Sequence, residues 1–433
     1  GPTIDMIWVG KLGPAAIAGV GVAGIAVQML MSATMGLMMG MRALIARAIG
    51  AGDPEAADRV TMQAFVLSIA FAGVMALVGI FLTERILGLF GLDEEVVVQG
   101  AAYLRIMFVG AVVMTARIVA ESGMQAAGDA TTPMWLAVFF RTFHVILAPF
   151  LILGLWIFPQ MGVSGAATTN IISQGVALLF SLWFLFKGRS LYFAGRRWPF
   201  LALGTGRLKP TLQRFRVDLT VIRRIVRIGI PASVMGMQIA LGQFVLVKAI
   251  SPFGMLALAA HAVSQRVEIV LVMPVLGLGM AAGVLAGQNL GAGKPHRAER
   301  SGWLAAGLAE AWLVVFCLVL LVLAEPIFRV FNAEPALVLI GADFLRIAAA
   351  GYAFIGVVIV LQSCLSGAGD TVWAMIFSLL IMWGVQIPLA FVLPEVTDLG
   401  VYGVRWAMVI AMAVGAVAYM TYFRMGRWKR RQP

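Results

Sequence analysis

Residues 187–227 read KGRSLYFAGRRWPFLALGTGRLKPTLQRFRVDLTVIRRIVR, and no other part of the 433-residue chain resembles them. The stretch holds Lys187, Arg189, Arg196, Arg197, Arg207, Lys209, Arg214, Arg216, Arg223, Arg224 and Arg227, with Asp218 as its single acid. Long apolar runs with few charges lie on either side. The stretch is therefore read as the midline of the chain, and the two halves that flank it repeat one another.

A mean hydropathy of +0.97, with 61% hydrophobic and 12% charged residues, excludes a soluble globule, since soluble domains carry about 25% charged residues. Apolar runs fall at 14–40, 60–82, 101–125, 134–158, 163–187, 228–251, 256–286, 301–324, 338–364, 373–394 and 401–423. They approach the ~20 residues that span a bilayer as a helix. Residues 1–9 (GPTIDMIWV) are apolar but too short to span, and read as the end of a clipped first helix that brings the total to twelve. The chain is thus expected to be an all-α polytopic membrane protein. The net charge of +12 sits mainly in loops, without a basic face interleaved with aromatics. The bilayer and its headgroups are the partner this implies, and no nucleic acid is expected. Cys317 and Cys364 both lie in apolar runs and read as small buried hydrophobes.

The repeat is visible residue by residue. A shift of 241 pairs Gly50-Ala51-Gly52 with Gly291-Ala292-Gly293, Pro54 with Pro295, Arg59 with Arg300, Leu104-Arg105-Ile106 with Leu345-Arg346-Ile347, and Ala127-Gly128-Asp129 with Ala368-Gly369-Asp370. It pairs Gly13 with Gly254, and drifts only later, where Pro149 faces Pro388 and Gly162 faces Gly400. Six helices per copy make a parallel repeat, both copies entering the membrane in the same sense. The expected organisation is a six-helix lobe over 1–187, a basic cytoplasmic linker over 188–226, a second six-helix lobe over 227–424 and a basic tail over 425–433. Arg47, Arg59, Lys294, Arg297, Arg300 and the tail share the linker's side, whereas Glu84, Asp93, Glu94, Glu95, Glu325, Glu334, Glu395 and Asp398 fall opposite. The positive-inside rule then puts both termini in the cytoplasm.

Most glycine-rich motifs read as architecture. In Gly50-Ala51-Gly52-Asp53-Pro54 a glycine ends one helix, Asp53 caps the next and Pro54 suits its first turn. Gly291-Ala292-Gly293-Lys294 is not a phosphate loop, because Gln288 and Pro295 stand where Gly and Ser or Thr are required. No cofactor is expected, and no metal-ligand pattern arises from His144, His261 and His296. Ionisable residues inside apolar runs are costly and carry more information: Asp5, Arg117, Glu121, Arg141, His144, Lys248, Glu268 and Glu310. Arg117 and Glu121, four residues apart, suit a structural pair. Asp5 and His144 have no polar counterpart in the second half, falling on Leu246 and near Trp383, and so suggest proton or cation handling. The 25 methionines suit either lipid-facing filler or an adaptable apolar cavity.

Asp5-Met6-Ile7-Trp8-Val9-Gly10-Lys11-Leu12-Gly13, Ala46-Arg47-Ala48-Ile49-Gly50-Ala51-Gly52, Gly287-Gln288-Asn289-Leu290-Gly291-Ala292-Gly293 and the run PQMGVSGAA from Pro159 to Ala167 together resemble the multidrug and toxic compound extrusion (MATE) transporters of the MOP flippase superfamily. The resemblance covers nearly the whole chain. It implies a twelve-helix fold of two six-helix lobes around a central cavity, in the inner membrane of a bacterium. It also implies antiport, in which a proton or sodium ion enters while an organic, often cationic, compound leaves. Asp5 matches the first-helix Asp of the family's cation site. The fifth helix departs from the pattern: where many prokaryotic members carry Asn-x-x-x-Asp-Pro, this chain has His144-Val145-Ile146-Leu147-Ala148-Pro149.

The expected function is secondary-active multidrug efflux by a monomer, with a lipid-linked oligosaccharide flippase as the alternative, for which Arg141 and Lys248 are thin support. Asp5, His144 and Asn170 form the expected coupling set. The loss of a carboxylate at Ala148 favours H+ over Na+ near Asp5, and imidazole is the side chain whose charge ordinarily changes near neutral pH. Gln238, Gln243, Glu268, Arg141 and Met237 form the expected substrate-binding set.

Overall fold

The structure, a computed structural model, describes residues 5, 8–88, 94–194, 200–211, 215–331 and 334–431; Asp93, Arg196, Arg197 and Arg214 lie outside them. Two compact units divide the chain, the first formed by Gly1–Ile49 and Asp53–Val226, the second by Gly50–Gly52 and Arg227–Pro433. The helices of the first half are α1 (Pro14–Gly50), α2 (Pro54–Phe81), α3 (Thr83–Gly88), α4 (Glu94–Val109), α5 (Ala111–Ala126), α6 (Thr131–Leu153) and α7 (Gly162–Lys187). The strands β1 (Arg189–Ala194) and β2 (Phe200–Thr205) follow. The second half has α8 (Leu219–Ile250), α9 (Met255–Gly291), α10 (Pro295–Phe331), α11 (Pro335–Gly367), α12 (Thr371–Leu379), a π-helix over Leu380–Gln386, α13 (Ile387–Val396) and α14 (Val401–Met425).

Among the described residues ten helices are long and apolar enough to cross a membrane, and α4 with α5, bent by 46°, meets the same length and hydropathy test only when the two are taken together. The bend falls at Gly110, where a Cβ would meet Ile171 Cδ1 at 2.3 Å. Because lipid tails are as apolar as leucine, helices in a bilayer associate by close packing rather than by leaving water. Glycine seams supply that packing here. A Cβ at Gly341 would lie 2.1 Å from the ring of Phe328, and one at Gly100 would lie 3.1 Å from Leu87. These are the same contact in the two copies of the repeat.

The backbone carries the repeat further than the side chains do. Gly13 and Gly254 (φ 118° and 92°), Gly52 and Gly293 (75° and 68°), and Gly128 and Gly369 (100° and 85°) are spaced by the same shift. Gly162 and Gly400 (56° and 52°) and Gly188 and Gly426 (60° and 70°) continue it after the drift. All occupy the positive-φ region that glycine enters without steric penalty. The 3-10 turns Gly10–Leu12 and Ser251–Phe253 also correspond. So do the ion pairs Arg105–Glu84 at 2.9 Å and Arg346–Glu325 at 3.1 Å.

Three features were not expected. The basic midline is not a bare tether: β1 and β2 pair antiparallel, from Arg189 opposite Thr205 to Ala194 opposite Phe200. Side chains of the first unit also hold it. Leu191 N donates to Thr132 Oγ1 at 2.7 Å, Lys209 N to Asp58 Oδ1 at 3.0 Å, and Gln63 Nε2 to the Arg216 carbonyl at 2.7 Å. The second is the π-helix, which ends just before Pro388. A helical proline lacks an N–H and its ring crowds the carbonyl four residues back, here that of Gly384. The wider turn accommodates both. The third is a break in α10 at Leu323 (φ −105°, ψ 15°), three residues before Pro326 and explained by the same sterics.

Candidate functional site

Asp5 and His144 meet. His144 Nε2 lies 2.7 Å from Asp5 Oδ1, and the two side chains are 0% and 2% exposed. His144 occupies the buried face of α6 with Leu136, Phe140, Ala148 and Leu151, at the helical spacing that keeps residues on one side. The surroundings are apolar: Val9, Ala148 and Ile152 belong to one buried cluster. The remaining polar atoms of the pair, Asp5 Oδ2 and His144 Nδ1, are buried without hydrogen-bond partners. One proton therefore decides the charge of the pair. With it the pair is neutral, as imidazolium with carboxylate or imidazole with carboxylic acid; without it the pair carries a buried negative charge, with the Arg141 guanidinium close enough to interact with it. Burying a net charge costs energy, so proton exchange here changes the energy of the helices packed around the pair.

A second polar network stands beside the first. Arg117 on α5 donates to both carboxylate oxygens of Glu121, at 2.7 and 2.6 Å, and its Nε donates to Gln174 Oε1 at 3.2 Å. Gln174 Nε2 donates to Asn170 Oδ1 at 2.5 Å, and Ser181 Oγ to Glu121 Oε1 at 3.5 Å. Phe140 lies between the two systems. Its ring is 6.2 Å from that of His144, and the guanidinium groups of Arg117 and Arg141 pack on it at 5.0 and 4.8 Å. Asn170 thus bonds within the Arg117–Glu121 network, not to the Asp5–His144 pair. Arg141 makes a cation–π contact with Phe140, as Arg117 does.

In the second unit Glu268 on α9 pairs with Arg405 on α14. Arg405 is 2% exposed. Its Nη2 also donates to the Phe344 carbonyl at 3.3 Å, its Nη1 lies 3.4 Å from His261 Nδ1, and its guanidinium packs over the Phe344 ring at 5.0 Å. Glu268, Tyr352, Arg405, Met408 and Met412 line a cavity of about 10 Å³, near the volume of one water. Gln238 Nε2 donates to Ser378 Oγ at 2.6 Å, Gln265 Nε2 to Gln243 Oε1 at 2.6 Å, and Met237 is 42% exposed. The candidate substrate residues of this unit are therefore distributed over separate contacts. Arg405 was missed in the sequence, although a charge early in the run 401–423 is the same signal that singled out Glu268. Among the described residues no group of three or more His, Cys, Asp or Glu could hold a metal ion.

Apart from the β1–β2 hairpin the described chain is helical, with ten helices long and apolar enough to span a membrane and buried charges inside each unit. A family model described as MatE matches residues 1–150 and 231–392, and the chain belongs to that family. It is 27% identical over 436 residues to the probable multidrug resistance protein YoeA of Bacillus subtilis, which it matches over 100% of this chain and 90% of that one. It is 24% identical over 431 residues to the probable multidrug resistance protein NorM of Thermotoga maritima, over 99% and 88% of the two chains. A crystal structure of MATE in the bent conformation shares the fold, with a TM-score of 0.88 at 23% identity over 98% of this chain and 90% of that one.

Proposed function

We propose that the chain exports small organic compounds, often cationic, across a bacterial inner membrane, with both termini cytoplasmic and with protons as the coupling ion. The relatives named above carry the multidrug part of this reading. The observation that carries the coupling part is the buried Asp5–His144 contact at 2.7 Å. Two conformations of a transporter exchange populations only as far as a ligand binds them differently. A proton that turns a buried negative pair into a neutral one supplies such a difference. Protons suit the site better than sodium, because the group bonded to Asp5 is an imidazole nitrogen, whereas a hard cation seeks several oxygen ligands. Glu268 and the glutamines of the second unit are the proposed polar contacts for the substrate.

The test is transport by the full chain in proteoliposomes with proton and sodium gradients imposed separately. The expected result is drug uptake driven by the proton gradient alone and abolished by Asp5→Asn, with membrane insertion intact. Full transport by Asp5→Asn, or drive by sodium alone, would overturn the reading.

A further inference from the structure

Glu310 is the single charged residue in the 24-residue run from Ser301 to Ala324. It lies 15 residues into the 37-residue helix α10, or ~22 Å along it at ~1.5 Å per residue. That places it deep in a hydrocarbon layer ~30 Å thick. Among the described residues Asp5 pairs with His144, Glu121 with Arg117 and Glu268 with Arg405. Among the described residues Glu310 forms no ion pair. Its Oε1 accepts a hydrogen bond from the backbone N–H of Val357 on α11 at 2.7 Å. Its Oε2 is buried without a partner. The titratable and charged groups on the helices packed against it are His261, Arg266 and Glu268 of α9 and Asp343, Arg346, Tyr352 and Cys364 of α11, with Cys317 two turns along α10 itself. Glu268, Asp343 and Arg346 are committed to partners other than Glu310.

These surroundings favour a neutral carboxylic acid over a carboxylate. A carbonyl oxygen that accepts from a backbone N–H satisfies Oε1, and a hydroxyl at Oε2 needs far less from its surroundings than a bare anion would. A half-buried carboxylate with one oxygen unpartnered and no counter-charge would carry a desolvation penalty offset only by the backbone N–H groups of Gly356 and Val357. Packing alone does not require the acid. The same helix seam in the first unit, α2 against α5, is closed by neutral groups: Thr115, the counterpart of Gly356, donates from Oγ1 to the Ser68 carbonyl at 3.5 Å. In the second unit Gly356 leaves the space that Glu310 fills, and a Cβ there would meet Oε1 at 2.9 Å.

We propose that Glu310 is a second proton-binding site of the transport cycle, contained in the second unit, where a proton is held at Oε2 and released when the α10–α11 seam opens to water. This rests on the antiport reading, with Asp5–His144 as the other site. Two measurements on the full chain test it. In nanodiscs, pH-titrated infrared difference spectra report the C=O stretch of a protonated carboxylic acid. A titrating band absent from Glu310→Gln, retained in Asp5→Asn and displaced in frequency by Gly356→Ala is expected. Superposable spectra of the parent chain and Glu310→Gln would overturn the proposal. In proteoliposomes, reversal potentials give the protons moved per substrate, and Glu310→Gln should move one fewer. An unchanged count would make Glu310 a structural acid and also overturn it. Sodium drive, or full transport by Asp5→Asn, would instead sink the antiport reading, and the infrared band would still decide whether Glu310 holds a proton.

Discussion

Intramembrane acids in this chain are neutralised in different ways, and the differences set what each can do. Asp5 faces an imidazole, which can give or take a proton. Glu268 faces the guanidinium of Arg405, which cannot lose one in a protein. In the first pair both groups can exchange a proton; in the second only the carboxylate can. Removing one partner of a buried ion pair costs about 3–5 kcal/mol, whereas replacing both with apolar residues of similar volume is often neutral. Arg405→Met should therefore lower the thermal midpoint of the detergent-solubilised protein sharply. Combining it with Glu268→Met should recover most of the loss, and an additive double variant would contradict a direct pair. His144→Ala should change the pH profile of proton-driven transport, because it removes the proton's second holder; an unchanged profile would exclude His144 from coupling. Asp5 and His144 were legible in the sequence because the repeat exposes a titratable group that lacks a counterpart. Arg405 was harder to place, since its partner is 137 positions away and a single arginine early in an apolar run also suits a side chain reaching for the interface.

Two of the prolines inside helices coincide with a departure from regular geometry, whereas Pro149, Pro231 and Pro274 leave α6, α8 and α9 unbroken. The π-helix over Leu380–Gln386 precedes Pro388, and the break at Leu323 precedes Pro326. The prolines were visible in the sequence, but not which distortion each would produce, because packing decides between a kink and a widened turn. At the π-helix a Cβ on Gly242 would meet Met382 Cε at 2.0 Å, so α8 also constrains it. Pro388→Ala separates the two causes. If the proline sets the turn, amide exchange in Leu380–Gln386 should slow as regular hydrogen bonds return; if exchange is unchanged, the Gly242–Met382 contact sets it. The corner after α5 is a second case. Asp129 Oδ1 accepts from Thr132 N at 3.0 Å and its Oδ2 from Thr132 Oγ1 at 2.6 Å, and that hydroxyl oxygen in turn accepts from Leu191 N. Thr132→Val should destabilise the first unit by about 1–3 kcal/mol, the price of an unmade buried hydrogen bond. Faster exchange at the Leu191 amide would locate the loss in the hairpin. Asp370, the counterpart of Asp129, bonds Tyr422 Oη at 2.6 Å and Arg431 Nε at 3.2 Å instead. The same position clamps the chain after the last helix of its copy, with different chemistry.

For the whole molecule, composition gave the class and the repeat gave the fold, since apolar run length and a gap-free shift depend on residue type and order alone. The β1–β2 hairpin escaped notice because eleven basic residues dominate the stretch and mask the alternating Leu191, Phe193, Leu201 and Leu203. The charge of that stretch carries a topological prediction. Cys317 and Cys364 are both buried, so a cysteine introduced at Ser190 or Arg430 should be the reactive thiol in each variant. Impermeant maleimide should label both only from the cytoplasmic side; labelling of Ser190→Cys from outside would invert the topology. The ten matched glycines carry a further consequence. A saturation scan of the gene should reveal them without any coordinates, as ten substitution-intolerant sites in two successive series of five, three pairs 241 residues apart and two pairs 238 apart. Alanine at either member of a pair should be tolerated or rejected alike, whatever has happened to the residues around it, because the constraint belongs to the turn and not to its neighbours.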